Sequence, residues 1–361
     1  MIRFLAILVL MTGVSPGAAA ATAAGAELVA VGPDPAHRED EITAYFRGTI
    51  GDGTPVQMSL TIRGEEVTGW YMYDRIGTPL TLTGIAKTDE PGQTITLALK
   101  ERTIDGKETG KFEGKFRRNQ HKAGGAWTDA EGTRHLNFVL AQVATTRALR
   151  LEQGDTVEST ITFPWFLGAD DRTARENDRR LANAVRAATL TFGGIGDPLD
   201  IDLEGVPLRA PYYRLESWEP AFVGDEAVSL KCRLSFYTGG AHPNTEYGAE
   251  NRVLIGGVFQ EIRLTDLFLP DAPVFAEVSR LCSKELARQR APWVLDGSAK
   301  LFTEAKGHPF TLSPAGITFI FAPYVVGPYA NGAYSATIPW SAIEPLLNPA
   351  GPARYFRPAP R

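Results

Sequence analysis

Cysteine is nearly absent from this 361-residue chain: Cys232 and Cys282 are the only two. They are not a Cys-x-x-Cys pair, and alone they cannot fill a metal's coordination shell. Gly-x-Ser-x-Gly and His-Glu-x-x-His are also missing, so no motif announces a serine hydrolase or a zinc protease. An excess of positive charge is lacking too. The chain carries 37 Lys and Arg against 42 Asp and Glu, a formal net charge of −5, with no basic cluster. Phosphate neutralisation needs concentrated cations, which excludes nucleic acid as an expected partner. The five histidines (His37, His121, His135, His242 and His308) stand far apart, and no metal or cofactor site is expected. After residue 24 no apolar run is long enough to span a bilayer, so no integral membrane segment is expected in the mature chain.

One shorter apolar run lies at the N-terminus. In "MIRFLAILVLMTGVSPGAAAATAAGA" a single early cation, Arg3, precedes apolar Phe4 to Val14 and then several Ala-x-Ala sites. That order predicts a secretory signal over residues 1–24. No cysteine stands at its cleavage region, which excludes lipid attachment there. The expected location is periplasmic or secreted.

The hydrophobic content of 43% and the length suit two or three globular cores. Residues 25–40, ending "ELVAVGPDPAHRED", read as a linker, since they are rich in proline and charge and have no period. Residues 41–145 read as all β. Eight alternating segments, from "TAYFRGTI" to "HLNFVLAQV", are separated by turns such as Gly-Asp-Gly and Asp-Gly-Lys-Glu. A meander of this kind is expected to close into an eight-stranded antiparallel barrel, which removes its exposed edges. Glycines 69, 84, 110, 114 and 124–125 fall in or beside the strands and predict sharp coiling. Trp70, Tyr71, Tyr73, Phe112, Phe116 and Trp127 either line a ligand cavity or fill the interior as core.

Beyond residue 147 the pattern becomes α+β, expected over 147–348, with a loose proline-rich tail at 349–361. "DDRTARENDRRLANAVRAATL" predicts a helix begun by Asp170 or Asp171, with "RTARENDRR" as its solvated face. A second helix should start near Asp271. Ser341 and Glu344 have the spacing of a capping box for a last short helix. Cys232 alternates with Val228 and Leu230 on a strand, and Cys282 lies on the apolar stripe of a helix. Two core-facing thiols in an oxidising compartment predict one disulfide.

The motif that stands out is "SFYTGGAHPNTEYG" at 235–248. As structure, Gly239 and Gly240 permit a turn that Pro243 and Asn244 complete, and Tyr237 precedes it. As catalysis, His242 could act as a base with Glu246 or Asp266 as the orienting acid. "FIFAPYVVGPYANGAY" places Tyr324, Tyr329 and Tyr334 around two prolines, a second candidate binding loop.

With "QEIRLTDLFLPDA" and "ATIPWSAIEPLL", these stretches make residues 147–348 resemble the RsiV-like C-terminal domain of unknown function. That domain is shared by lysozyme-sensing anti-sigma factors and some peptidoglycan deacetylases. Val325 stands where many relatives have an acid, and the deacetylase Asp-Asp motif is missing. The resemblance therefore implies a fold and a cell-envelope setting rather than an activity. It also implies that the two loops lie together. Residues 41–145 resemble, less specifically, β-repeat domains of other uncharacterised exported proteins.

The expected function is thus a non-catalytic envelope binding or sensing protein. Its binding residues are Tyr237, Gly239, Gly240, His242, Pro243, Asn244, Tyr324, Tyr329 and Tyr334, and its candidate partners are a lysozyme-like protein or peptidoglycan. One alternative is a hydrolase of a wall component using His242, Glu246 and Asp266. The other is a carrier of a small apolar ligand inside the barrel.

Overall fold

The computed structural model describes residues 27–32, 41–89, 92–153, 157–194, 212–237, 242–302 and 307–357. The expected signal at 1–24 and the glycines Gly239 and Gly240 lie outside them. The first described element is a strand, β1 (Glu27–Gly32), so part of the stretch read as a linker is paired backbone.

Alternating apolar residues then produce β2 (Glu41–Ile50), β3 (Thr54–Arg63), β4 (Glu66–Tyr73), β5 (Leu80–Thr88), β6 (Thr94–Arg102), β7 (Glu108–Arg117) and β8 (Lys122–Asp129). They are followed by β9 (His135–Gln153). Each strand pairs antiparallel with the next, and β9 pairs with both β8 and β2, which closes an eight-stranded barrel. The strand glycines permit this tight coiling. A Cβ at Gly69 would sit 2.1 Å from the Ser59 carbonyl oxygen, and one at Gly125 would sit 2.1 Å from that of Glu113.

The barrel is full. Phe46 meets Phe116 edge to face at 5.0 Å, and Tyr71, Phe112 and Phe138 continue the contact at 5.0 and 5.3 Å. Leu60, Leu82, Ile95 and Leu140 pack around them. Of the six aromatics in question, Tyr71, Phe112, Phe116 and Trp127 are core. Trp70 packs outside the barrel. A filled interior leaves the carrier reading without a chamber.

One carboxylate lies inside, Glu101, 2% exposed. It accepts from Tyr71 Oη at 2.5 Å, Thr109 Oγ1 at 2.5 Å and Trp127 Nε1 at 2.7 Å. Three donors on one acidic side chain meet the requirement that a buried charge be hydrogen-bonded.

β9 runs on past the barrel. A register shift opposite Tyr45 and Phe46 marks the exit, and residues 144–153 pair with β10 (Val157–Phe166). The sheet continues through β11 (Tyr212–Val223), β12 (Ala227–Tyr237), β13 (Asn244–Ile255) and β14 (Val258–Glu261). The β10–β11 pair is parallel and is joined through α1 (Asp171–Gly194), which packs on one face. Asp170 caps α1 by accepting from the amides of Arg172 and Thr173 at 2.9 and 3.0 Å.

The other face carries α2 (Val274–Arg288), α3 (Pro292–Leu295) and a second sheet. That sheet is β15 (Phe310–Ser313), β16 (Gly316–Phe321) and β17 (Tyr334–Pro339), followed by α4 (Trp340–Ile343). Asn251 and Ser229 reach across to β15, donating to the Phe310 carbonyl and accepting from the Leu312 amide. This unit is mixed α+β. Gln57, fully buried on the outer barrel wall, ties the units together by accepting from the Val223 amide at 3.0 Å and donating to Asp74 at 2.7 Å.

Three further expectations are corrected. Cys232 and Cys282 are both buried and both free. Cys232 shares strand parity with Val228 and Leu230, which face the α1 side, whereas Cys282 lies in the core on the opposite face with α2 and β17. A sheet separates the thiols, so no disulfide joins them. The tail is docked rather than loose through residue 357. Ala353 and Phe356 enter the main core, with the Phe356 ring 5.6 Å from Phe222. Arg357 holds Glu344 there, so the capping box with Ser341 does not form, and Pro339 occupies the N-cap of α4.

Candidate functional site

The two loops picked out from the sequence meet. Pro243 and Asn244 lead into β13, while the β16–β17 connection passes through a 3₁₀ turn at Tyr329–Asn331. The His242 and Tyr329 rings stack at 4.3 Å and 24°. Tyr324 lies against Tyr329 at 5.6 Å and 36°. Tyr329 Oη donates to the Pro243 carbonyl at 2.8 Å. His242 Nδ1 also lies 2.8 Å from that carbonyl. A carbonyl only accepts, so Nδ1 carries a proton in this contact.

Tyr324 is the outlier of this group. Its φ is +67°, where a bulky side chain is strained, and it is 55% exposed. Its amide donates to the Gly327 carbonyl at 3.1 Å, which closes the small turn that holds it. A Cβ at Gly327 would sit 3.0 Å from Pro292 Cδ in α3, so the turn packs tightly against that proline. Tyr334 accepts from Asn331 Nδ2 at 3.3 Å and borders the same loop. Tyr237 is placed apart from the stack, paired with Tyr213 at 6.2 Å.

The proposed catalytic couple is not assembled. Asp266 accepts from the Arg263 amide at 2.8 Å and its guanidinium at 3.1 Å, which fixes a 3₁₀ turn. Glu246 is exposed on β13, opposite Leu234. Among the described residues no carboxylate bonds to His242. Nor does any group of three or more His, Cys, Asp or Glu among them form a metal site.

The sequence reading missed a second cluster. The segment read as a solvated face carries Glu176, Asn177 and Arg180, each 5% exposed. Glu176 accepts from Arg179 at 2.7 Å and from Arg180 at 2.5 Å, and Arg252 of β13 lies 3.8 Å away. Glu250 is bonded by Arg179, with Arg252 at 3.6 Å and Arg180 at 3.8 Å. Burial pushes the Glu176 carboxyl up, but the Arg179 hydrogen bonds and the charges of Arg180, Arg179 and Arg252 outweigh it. The group is held below the usual carboxylate range. For Arg180 burial wins, and its pKa is lowered despite Glu250 and Glu176. Beside the cluster is a small cleft of about 50 Å³, open to solvent, walled by Ile161, Phe163 and Trp218 and reached by Arg180.

Comparison with known proteins matches residues 265–341 to the family described as "Protein of unknown function (DUF3298)". The match includes Tyr324, Tyr329 and Tyr334 and leaves out His242 and α1. The chain is 29% identical over 147 residues to Esterase Rv3036c of Mycobacterium tuberculosis (strain ATCC 25618 / H37Rv). That alignment covers 40% of this chain and 64% of the relative, so the chain spans less than two thirds of the relative's length. A solved DUF3298 family protein from Pseudomonas aeruginosa PAO1 is similar at TM-score 0.43 and 14% identity, over 59% of this chain and 96% of that one. A DUF3298 member from Bacteroides fragilis NCTC 9343 gives 0.39 and 16%, over 57% and 94%.

Proposed function

We propose that this is an exported, RsiV-like envelope protein that recognises its ligand on the His242–Tyr329–Tyr324 ring stack and performs no reaction there. The single observation behind this reading is Tyr324, a strained and exposed aromatic held against a second ring. Rigid tyrosines give large contact area at low entropic cost, and fixed aromatic anchors dominate recognition surfaces. A lysozyme-like protein or peptidoglycan is the proposed ligand, in keeping with the N-terminal pattern and the family resemblance.

The test measures retention of lysozyme and of purified peptidoglycan by the full chain and by Tyr324→Ala. Loss of one anchor of about 2 kcal/mol weakens binding roughly thirtyfold. No retention above a control protein, or equal retention by Tyr324→Ala, overturns the reading.

A second reading is ester or wall-component hydrolysis with His242 as base. It is supported by the esterase relative and by the exposed His242 imidazole. Turnover of a p-nitrophenyl ester that disappears in His242→Ala would establish it in place of the first.

A further inference from the structure

We infer that the cleft between α1 and the sheet is a binding site for a small carboxylate with an apolar body, a site separate from the ring stack. The cleft lies on the α1 face, whereas the Tyr324–Tyr334 loop belongs to the β15–β17 sheet on the opposite face.

The argument starts from charge. Three guanidinium groups, Arg179, Arg180 and Arg252, share two carboxylates, Glu176 and Glu250. Among the described residues the only other carboxylate on the cleft wall is Glu216, and both of its oxygens are taken. Trp218 Nε1 donates to one at 2.6 Å and Arg214 to the other at 2.7 Å. The Arg214–Glu216 pair is neutral, so among the described residues this set of three arginines and two glutamates keeps one positive charge in excess.

The hydrogen bonds show the same deficit. Among the described residues Arg180 Nε is a buried donor without a hydrogen-bond acceptor, as is Arg252 Nε behind the cleft wall. The Arg180 side chain is 4% exposed and lines the cleft. Buried donors left unpaired are costly, and a charged acceptor compensates a guanidinium best. Asn183, also on the wall, accepts from Arg186 at 3.1 Å through Oδ1, which leaves its Nδ2 as a further donor. An anion at this point supplies the missing charge and the missing acceptor together.

The remaining wall sets the rest of the ligand. Ile161, Phe163, Ala184 and the Trp218 ring are apolar and have no use for a fully hydrated ion such as inorganic phosphate. The geometry therefore takes a carboxylate head toward Arg180 and Asn183 and an aliphatic or aryl body along β10 and Trp218.

The test uses the full chain, with hexanoate, benzoate, hexanol and inorganic phosphate as probes. The readouts are the Trp218 indole N–H resonance, assigned through Trp218→Phe, and the thermal midpoint. Hexanoate and benzoate are expected to shift the resonance saturably and raise the midpoint. Hexanol and phosphate should bind roughly tenfold or more weakly. Ala184→Phe fills the cleft without touching a charge, and it should abolish the response with helical circular dichroism unchanged. No response to either carboxylate, an equal response to hexanol or phosphate, or a response surviving in folded Ala184→Phe each overturns the inference. Should Ala184→Phe not fold, the four-probe comparison on the unsubstituted chain decides alone.

Discussion

Replacing Glu176 by Ala removes the carboxylate that accepts from Arg179 and Arg180 beneath α1. Among the described residues Arg180 would then keep only Glu250, 3.8 Å away, as a counter-charge. Breaking a buried ion pair on one side costs about 3–5 kcal/mol, because the partner stays buried and uncompensated. At roughly 2–4 °C per kcal/mol for a unit of this size, the thermal midpoint should fall on the order of 10 °C. The paired swap Glu176→Leu with Arg180→Met removes both charges and should be far milder, since apolar substitutes of similar volume often replace buried pairs at little cost.

pH provides a second axis for the same residue. The folded Glu176 carboxyl is held below its ordinary value, so the unfolded chain takes up its proton first as pH falls. This contribution to stability is complete above the ordinary carboxylate range near pH 4.3, and it is lost as pH drops through the lower folded value. Urea titrations of the unsubstituted chain and Glu176→Gln, followed by tryptophan fluorescence from pH 7 to pH 3, should converge at the acid end. A Glu176→Ala loss under about 1 kcal/mol, or parallel pH profiles, refutes the account of the cluster as an interdependent buried network.

Inside the barrel, Glu101→Leu takes the acceptor from Tyr71 Oη, Thr109 Oγ1 and Trp127 Nε1, and at about 1–3 kcal/mol for each of the buried donors on Tyr71 and Trp127 it should cost at least about 2 kcal/mol in chemical denaturation. Glu101→Gln should cost less, because its carbonyl oxygen still accepts. Both cysteines should be silent to a thiol reagent in the native protein and react in denaturant without added reductant. Burial raises both thiols, Cys282 to about 12, and no disulfide protects them. Phe356→Ala should destabilise by about 3–5 kcal/mol in thermal melts, a loss that a loose tail would not produce.

The barrel was legible because period-two alternation and glycine turns are local signals, and local signals survive in a linear chain. The meeting of His242 with Tyr329 was legible only through resemblance, since nothing in either loop encodes its distance from the other. The disulfide expectation failed for a definite reason. Each cysteine was placed correctly on an apolar face, but alternation does not say which side of a sheet a given face looks toward. The α1 cluster failed differently. Glu176, Arg179 and Arg180 look like an exposed i, i+3, i+4 set until Glu250 and Arg252 arrive from β13 to bury them. The available signal was the same-face pair Glu250 and Arg252, two apart on a strand that is otherwise half apolar. Charges on both partners of a packed interface read, one at a time, as solvent-facing. The docked tail was misread because proline content masked one decisive aromatic, Phe356.

The strand β9 is the common property of both halves of the molecule. Its first part closes the barrel and its last part seeds the second sheet, so a cut at the apparent boundary leaves each fragment with a severed ribbon and unsatisfied amides. The halves should therefore resist being produced alone, and a tug on one should pass along a stiff hydrogen-bonded beam into the other instead of being absorbed by a slack tether. For a protein proposed to work outside the cytoplasm, such a spine would hold the ring stack at a fixed attitude to the barrel, with no freely swinging arm between them.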